Sequence, residues 1–179
     1  MAMTTGSADV MAERLMALGR VTEASATLES TLRSAFCSLM GSKYAAIVAG
    51  GQGVSWLVEQ CVALTKPHLE ITAEHKEAIL AAMRRCKAAN DRRNTLTHGV
   101  KSVTWVTDGA LLTIRSRRGT NETFTQQCTP AAIAKAAGEL LHADLGLFGA
   151  MQNAVSRETI VIDAALAWER QARDRAASS

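Results

Sequence analysis

The chain has 179 residues, 47% of them hydrophobic, and carries a formal net charge of +3. This length and apolar content predict one domain with a sizeable core and leave little room for two. The longest apolar runs, such as 45–51, are too short to span a bilayer, which excludes a membrane-spanning protein. With only two prolines, the composition favours helices, and the mild positive charge permits a polyanionic partner without requiring one.

The first residues and the cysteines indicate a reducing compartment. Residues 1–6 have neither the basic start nor the apolar core of a signal peptide. The cysteines are far apart in the sequence and no pair has the spacing of a zinc site, so we expect reduced, buried thiols, no metal and no cofactor. We therefore expect a cytoplasmic protein without a membrane partner. The four cysteines are Cys37, Cys61, Cys86 and Cys128.

The first predicted element is a long helix over residues 7–40, which Gly41 closes. Its apolar residues follow a broken helical rhythm and are expected to form a buried face. They are Leu15, Leu18, Leu28, Leu32, Ala35, Phe36 and Leu39.

Residues 44–53 are ambiguous between a short helix and a buried connection. Their glycine-rich part, 50–53, invites comparison with a phosphate-binding P-loop. However, it lacks the Lys-Ser or Lys-Thr ending of that motif and follows no convincing strand. We therefore do not expect a nucleotide site of the P-loop kind.

A second helix is predicted over residues 55–66 and is closed by Pro67. Glu59 is left over for another surface. It is a candidate auxiliary acid for a site on the next helix, although an exposed glutamate without a function is the commoner case. The residues expected to point inward are Trp56, Leu57, Cys61 and Leu64.

The next helix begins after Thr72, a predicted N-cap, and is the most persuasive in the chain. Its apolar stripe has the three- and four-residue spacing of one helix face. Continued by the same steps, the stripe becomes polar, and Gly99 then marks the helix end. The apolar part is Ile79, Met83 and Cys86, and the polar part is Asn90, Arg93, Asn94, Thr97 and His98.

Two interpretations fit this polar end. An Arg-rich last turn is commonly a solvated helix end whose cations suit the negative pole of the helix dipole. However, Arg93-Asn94-Thr95-Leu96-Thr97-His98, followed by Gly99, resembles the motif of the HEPN superfamily, which is Arg, a polar residue, three further residues and His. The resemblance implies a small antiparallel helical bundle and, as in many HEPN proteins, a metal-independent ribonuclease.

Arg93, Asn94 and His98 are therefore the candidate catalytic residues. Because an ordinary histidine titrates near neutrality, His98 could give or take protons during RNA cleavage. The forked cation of Arg93 suits phosphate oxygens, and Asn94 could orient the imidazole or hold a phosphate. Asp91, like Glu59, is a candidate auxiliary acid. One motif offers only one histidine, and the resemblance implies that a homodimer brings two motifs into one site.

After this helix the sequence period changes from helical to two. The change predicts a β-hairpin or three-stranded meander inserted at about 101–127, with a turn at Asp108-Gly109. Basic residues here, together with Arg92 of the preceding helix, could form a positive track for RNA phosphates, or the insertion's arginines could merely solvate an edge strand. The candidate RNA-binding residues are Arg92, Lys101, Arg115, Arg117 and Arg118.

Thr129-Pro130 is a typical helix start, a cap followed by a first-position proline. An alanine-rich helix is predicted from there to about 155, and a last helix with a solvated, charged tail over 159–176. The apolar face expected on the alanine-rich helix consists of Ile133, Ala137, Leu140, Leu141, Leu145, Phe148 and Met151.

Together the patterns and the resemblance predict one mainly α domain over residues 7–176, a HEPN-like antiparallel helical bundle with the β insertion. The implied function is a metal-independent endoribonuclease in toxin–antitoxin or antiphage defence. It would act on RNA as a homodimer, with a nucleotidyltransferase-type antitoxin as a candidate protein partner. The alternatives are a non-catalytic HEPN-like module that dimerises or binds a protein partner or nucleotide, and a plain helical assembly protein.

Overall fold

A computed structural model describes residues 5–97, 103–105, 111–116 and 123–154. This part of the chain is mainly helical, which confirms the predicted fold class at that level. Its elements are α1 (Thr5–Met40), α2 (Ala45–Ala49), α3 (Val54–Thr65), α4 (Ala73–Thr97), β1 (Val103–Trp105), β2 (Leu111–Ser116), β3 (Thr123–Cys128) and α5 (Pro130–Ala154).

The ends of the helices follow from local chemistry. Gly41 has a φ of 61°, which glycine adopts freely, and its N–H donates to the Cys37 carbonyl at 3.0 Å, ending α1. The hydroxyl of Thr72 accepts the N–H of His75 at 3.3 Å, which confirms the predicted cap of α4. Thr129 caps α5 in the same way, accepting the N–H of Ala132 at 3.1 Å.

The core lies where α1 packs against α3 and α5, and α4 packs against α3 and α5. The predicted α4 stripe of Ile79, Met83 and Cys86 is fully buried there. The thiol of Cys86 approaches the Ala143 carbonyl of α5 at 3.7 Å, so these two helices are in close contact. The other large side chains that are fully buried include Leu28, Leu32, Leu57, Ile133, Leu140 and Leu147.

Part of the predicted buried faces is exposed instead. Leu141, Leu145 and Phe148 of α5 are 48%, 68% and 54% exposed, because they lie roughly 80° to 140° round the helix from the buried Leu140. Leu15 of α1 is exposed for the same reason, being about 140° from Leu28. The apolar pattern of each helix is therefore wider than the stripe that its neighbours cover.

Three short strands lie between α4 and α5, in the stretch for which the sequence predicts a meander. They form an antiparallel sheet in the order β1-β2-β3. Val103 is opposite Thr113, and Leu111 is opposite both Trp105 and, on its other side, Cys128. The predicted turn at Asp108-Gly109 and the last helix, 159–176, lie outside the described residues.

None of the described helices combines the length and apolar composition required to cross a membrane.

Candidate functional site

A cavity of about 430 Å³ lies between α1, the start of α3 and the last turns of α4. Its volume is in the range typical of small-ligand pockets. Most of its lining groups are polar, in contrast to the apolar core beside it. They are Ser25 and Glu29 of α1, Gly53, Val54, Ser55 and Trp56 at the start of α3, and Asn90, Arg93 and Asn94 of α4.

The α4 side of the cavity consists of the polar continuation of the buried stripe. Asn90 is buried, at 5% exposure, while Arg93 and Asn94 are half-buried. Nη1 of Arg93 donates a hydrogen bond to Oδ1 of Asn94 at 2.9 Å. This bond fixes the guanidinium and the amide relative to each other, so both face the cavity in one arrangement. The predicted site residues Arg93 and Asn94 therefore lie together on one wall of the cavity.

The α3 side of the cavity is the beginning of a helix. Gly53 is the N-cap of α3, with extended backbone angles (φ −82°, ψ 165°) and no side chain to cap the helix. The first N–H groups of a helix have no partner within it and carry the positive end of its dipole. Gly53, Val54 and Ser55 all line the cavity, so the positive end of the α3 dipole lies at its wall and favours an anion there.

The α1 side supplies a hydroxyl and a carboxylate one turn apart. Ser25 is buried, at 7% exposure. Glu29 forms an ion pair with Arg33 one turn further along α1, and both side chains are partly exposed. A carboxylate repels an anionic ligand, and the pairing with Arg33 offsets part of that repulsion. The cavity is thus lined by the Arg93 cation, the start of α3 and two side-chain amides. Its one carboxylate, that of Glu29, is paired with Arg33.

Trp56 gives the cavity its aromatic wall. Its ring packs against Phe36 of α1, with the centroids 5.4 Å apart and the planes tilted by 53°. Trp56 is half-buried, so part of the indole remains accessible from the cavity. An aromatic ring beside phosphate-binding groups is a surface on which a nucleobase can stack.

Other predicted site residues of α3 and α4 lie elsewhere. Glu59 and Asp91 are exposed and are not among the residues that line the cavity. Arg92 lies on a different flank of α4, where it pairs with Glu139 of α5. The reason is helical geometry, since successive residues differ by about 100° in direction. The structure thus brings Arg93 and Asn94 together and separates Arg92 from them.

The remaining predicted residues concern the end of the motif and the insertion. His98, Lys101, Arg117 and Arg118 lie outside the described residues. Arg115 is in β2, in register with Phe124 of β3.

The cavity also contains residues that the sequence did not indicate as functional. Ser25, Glu29 and Trp56 come from helices in which the pattern predicted only packing or solvation. Gly53 belongs to the glycine-rich stretch that does not match a P-loop. The one usable signal is a glycine directly before an amphipathic helix, which leaves the helix N-terminus uncapped and open to a ligand.

Two cysteines of the core are held in the protonated, weakly nucleophilic form. Cys61 and Cys86 are buried, and burial raises the pKa of each thiol from 9.0 to about 12. Neighbouring thiols add to the shift at Cys61, and the charge of Asp144 adds to it at Cys86. Within the described part of the chain, no group of three or more His, Cys, Asp or Glu side chains is placed to hold a metal ion.

The fold and the cavity define a mainly helical protein with a candidate anion site where α1, α3 and α4 meet. No family model, curated protein or solved structure matches the chain.

Proposed function

We propose that the protein is a metal-independent endoribonuclease of HEPN type, acting in toxin–antitoxin or antiphage defence. The observation that supports this proposal is the cavity in which Arg93 and Asn94, two of the three motif residues, meet the open N-terminus of α3. Such a combination suits a phosphate that carries extra negative charge in a transition state. The Trp56 ring beside it suits a nucleotide rather than a bare ion.

The proposed reaction needs no metal. A base takes the proton of a ribose 2′-hydroxyl, the 2′-oxygen bonds to phosphorus, and a pentacoordinate phosphorane forms. Arg93 and the N–H groups of α3 stabilise its negative oxygens, with Asn94 holding the guanidinium in place. The bond from phosphorus to the 5′-oxygen then breaks, and an acid protonates that oxygen. The products are a 2′,3′-cyclic phosphate and a 5′-hydroxyl.

His98 is assigned the acid and base roles, because histidine is the side chain that ordinarily gives and takes protons near neutrality. One imidazole cannot be protonated and deprotonated at the same moment. A homodimer that brings two copies of His98 and Arg93 into one cleft would supply both forms. A neutralising partner of the nucleotidyltransferase type remains part of the proposal for a toxin setting.

A second candidate function is a non-catalytic module that binds a nucleotide. The specific observation in its favour is that Trp56, the α3 N-terminus and Arg93 line one cavity within a single protomer. That arrangement can hold a nucleobase and a phosphate without any cleavage. The two functions differ in whether His98 is required.

The deciding experiment incubates structured RNA with the native protein, His98→Ala and Arg93→Ala in the presence of EDTA. The nuclease proposal expects cleavage by the native protein alone, with cyclic phosphate ends. Equal cleavage by His98→Ala, or none by the native protein, would discard it. Uridine monophosphate binding that survives in His98→Ala, without cleavage by any variant, would establish the nucleotide-binding module instead.

A growth assay tests the toxin setting separately. Expression of the native chain is expected to slow growth, and expression of Arg93→Ala is expected not to. Identical growth with both chains would remove the support for a toxin, whatever the enzyme does in vitro.

A further inference from the structure

A second concave surface lies on the other flank of α4, between α4 and α5. It is a groove of about 580 Å³, larger than the cavity at Arg93. Arg85 and Arg92 of α4 line one wall, and Lys135 and His142 of α5 line the other. On each wall the two basic residues are seven positions apart, which is roughly 10 Å along a helix. The groove thus has basic side chains at two levels on both walls.

Small residues give the groove its depth. Ala88 and Ala89 of α4 and Gly138 and Ala143 of α5 form its floor. A Cβ atom added at Gly138 would meet nothing within 4 Å, so the space above the floor is open. The floor offers no large apolar or aromatic side chain. Protein partners are commonly anchored by such side chains, and nucleobases stack on aromatic ones.

The charges of the groove are not balanced. Glu139 is the acid that lines it, and it pairs with Arg92. Across residues 5–97 and 129–154, no ion pair involves Arg85 or Lys135. The guanidinium of Arg85 extends toward α5, since a Cβ atom built at Gly146 would lie 3.5 Å from its Nη2. The groove therefore has a surplus of permanent cations held by exposed, long side chains.

We propose that this groove binds the phosphodiester backbone of the RNA substrate, away from the bond that is cut. The choice of RNA as ligand rests on the proposed function, whereas the binding itself needs no cleavage. Cations on both walls fit a chain of phosphates, which is recognised without regard to base sequence, and the apolar, small-residue floor leaves room for the chain between them. Arg92 and Arg93 are adjacent in α4, so the groove and the cavity lie on two flanks of the same turn of this helix.

The test measures binding of a fluorescein-labelled, single-stranded 2′-O-methyl oligoribonucleotide, which cannot be cleaved through its 2′-oxygen. Fluorescence anisotropy is recorded against salt concentration for the native protein and for the triple variant Arg85→Gln, Arg92→Gln, Lys135→Gln. The matched control removes three exposed lysines outside the groove, so that the net charge falls equally. This control is Lys43→Gln, Lys66→Gln, Lys87→Gln.

The groove variant is expected to bind about tenfold more weakly or worse at moderate salt. Its slope of log affinity against log salt should fall by about 2, since each lost phosphate contact on a single strand contributes about 0.7. The lysine control should stay within about threefold of the native protein, because long-range charge is screened. All six substituted residues are exposed, so we expect both triple variants to have the melting temperature of the native protein.

Three results would overturn the inference. First, the groove variant could bind with the same affinity and the same salt dependence as the lysine control. Second, the native protein could fail to bind the oligonucleotide. Third, polyglutamate of equal charge could displace the oligonucleotide as well as unlabelled oligonucleotide does, which would assign the groove to an acidic protein.

The same variants separate this inference from the nuclease proposal. If the native protein binds through the groove but cuts no RNA, the nuclease proposal fails and the groove stands. If RNA is cut and the groove variant cuts with an unchanged KM, the groove inference fails and the nuclease stands. If both proposals are correct, the groove variant should have a raised KM and an unchanged kcat. The reason is that the groove contacts the RNA equally in the ground state and the transition state.

Discussion

Arg92 and Arg93 are adjacent in α4 but serve two different surfaces. Arg93 is half-buried in the cavity, bonded to Asn94 and close to the start of α3. Arg92 lies on the groove flank, where its side chain is 55% exposed and pairs with Glu139. A rotation of about 100° per residue is sufficient to separate them. Two cations that look equivalent in the sequence therefore have different surroundings.

Those surroundings decide what each cation can do. A half-buried charge such as that of Arg93 interacts more strongly with a ligand than an exposed one, because water and salt screen it less. An exposed charge contributes less to any one contact, and its effect depends on ionic strength. The cavity flank is thus suited to stabilising a reacting phosphate, and the groove flank to holding a long anion.

The largest expected effect separates the two arginines directly. Under the proposed nuclease mechanism, Arg93→Gln should lower the kcat for RNA cleavage by about 10² to 10³, as expected for loss of a donor to a transition-state oxyanion. Arg92→Gln should leave kcat within about threefold of native and should raise KM instead. Steady-state cleavage of a fluorogenic RNA substrate in EDTA measures both. Equal losses of kcat in the two variants would mean that the flanks do not differ in chemistry.

The next effect concerns the core between the two flanks, where Cys61 of α3 and Cys86 of α4 are both fully buried. Above pH 9 an unfolded chain releases the protons of Cys61 and Cys86, whereas the folded chain keeps them until about pH 12. The free energy of unfolding should therefore fall as the pH rises through this window, by about 1.4 kcal/mol per pH unit for each thiol. Below pH 9 the thiols are protonated in both states and contribute no slope.

Urea titrations at pH 8, 9 and 10 measure this slope. The control is the double variant Cys61→Ala, Cys86→Ala, which loses packing but should show a flatter pH dependence. An equally steep decline in the control would show that other groups, and not the two thiols, determine alkaline stability.

The α4 helix could be predicted closely from the sequence because its determinants are local. The Thr72 cap, the spacing of Ile79, Met83 and Cys86, and the polar continuation through Asn90 and Arg93 all lie within one segment. The helical period also implies that Arg92 and Arg93 point in different directions. Which neighbouring helix each would face is not a property of that segment.

The rest of the site depends on packing between distant segments. Glu29 and Gly53 reach the cavity because α1 and α3 pack beside the end of α4, and the uncapped helix start at Gly53 is the one local signal of an anion site. The exposure of Leu141 and Leu145 has a similar origin, since an apolar pattern does not tell which part of it a neighbour will cover. Local signals thus define helices, and the site appears only when the helices assemble.

The third-largest expected effect tests whether the start of α3 contributes to anion binding in the cavity. Val54→Pro removes one backbone N–H from the first position of α3, where proline is tolerated and the preceding Gly53 is already extended. Binding of uridine 3′-monophosphate should weaken about threefold to fivefold, the scale of one helix-terminus contribution. Val54→Ala is the matched control, since it loses the side chain but keeps the N–H. Isothermal titration calorimetry showing equal affinities for the two variants would remove α3 from the anion site.

The smallest effect belongs to the groove flank. Glu139→Gln removes the acid that pairs with Arg92, and an exposed pair of this kind contributes about 1 kcal/mol or less to stability. Binding of the 2′-O-methyl oligonucleotide should tighten about twofold, because a repelling charge is lost and Arg92 is released for a phosphate. Glu77→Gln, an exposed change on α4 away from the groove, should leave anisotropy titrations unchanged. Weaker binding by Glu139→Gln would mean that this carboxylate orients Arg92 for its ligand. The groove would then resemble the cavity, where Asn94 holds Arg93 in one orientation.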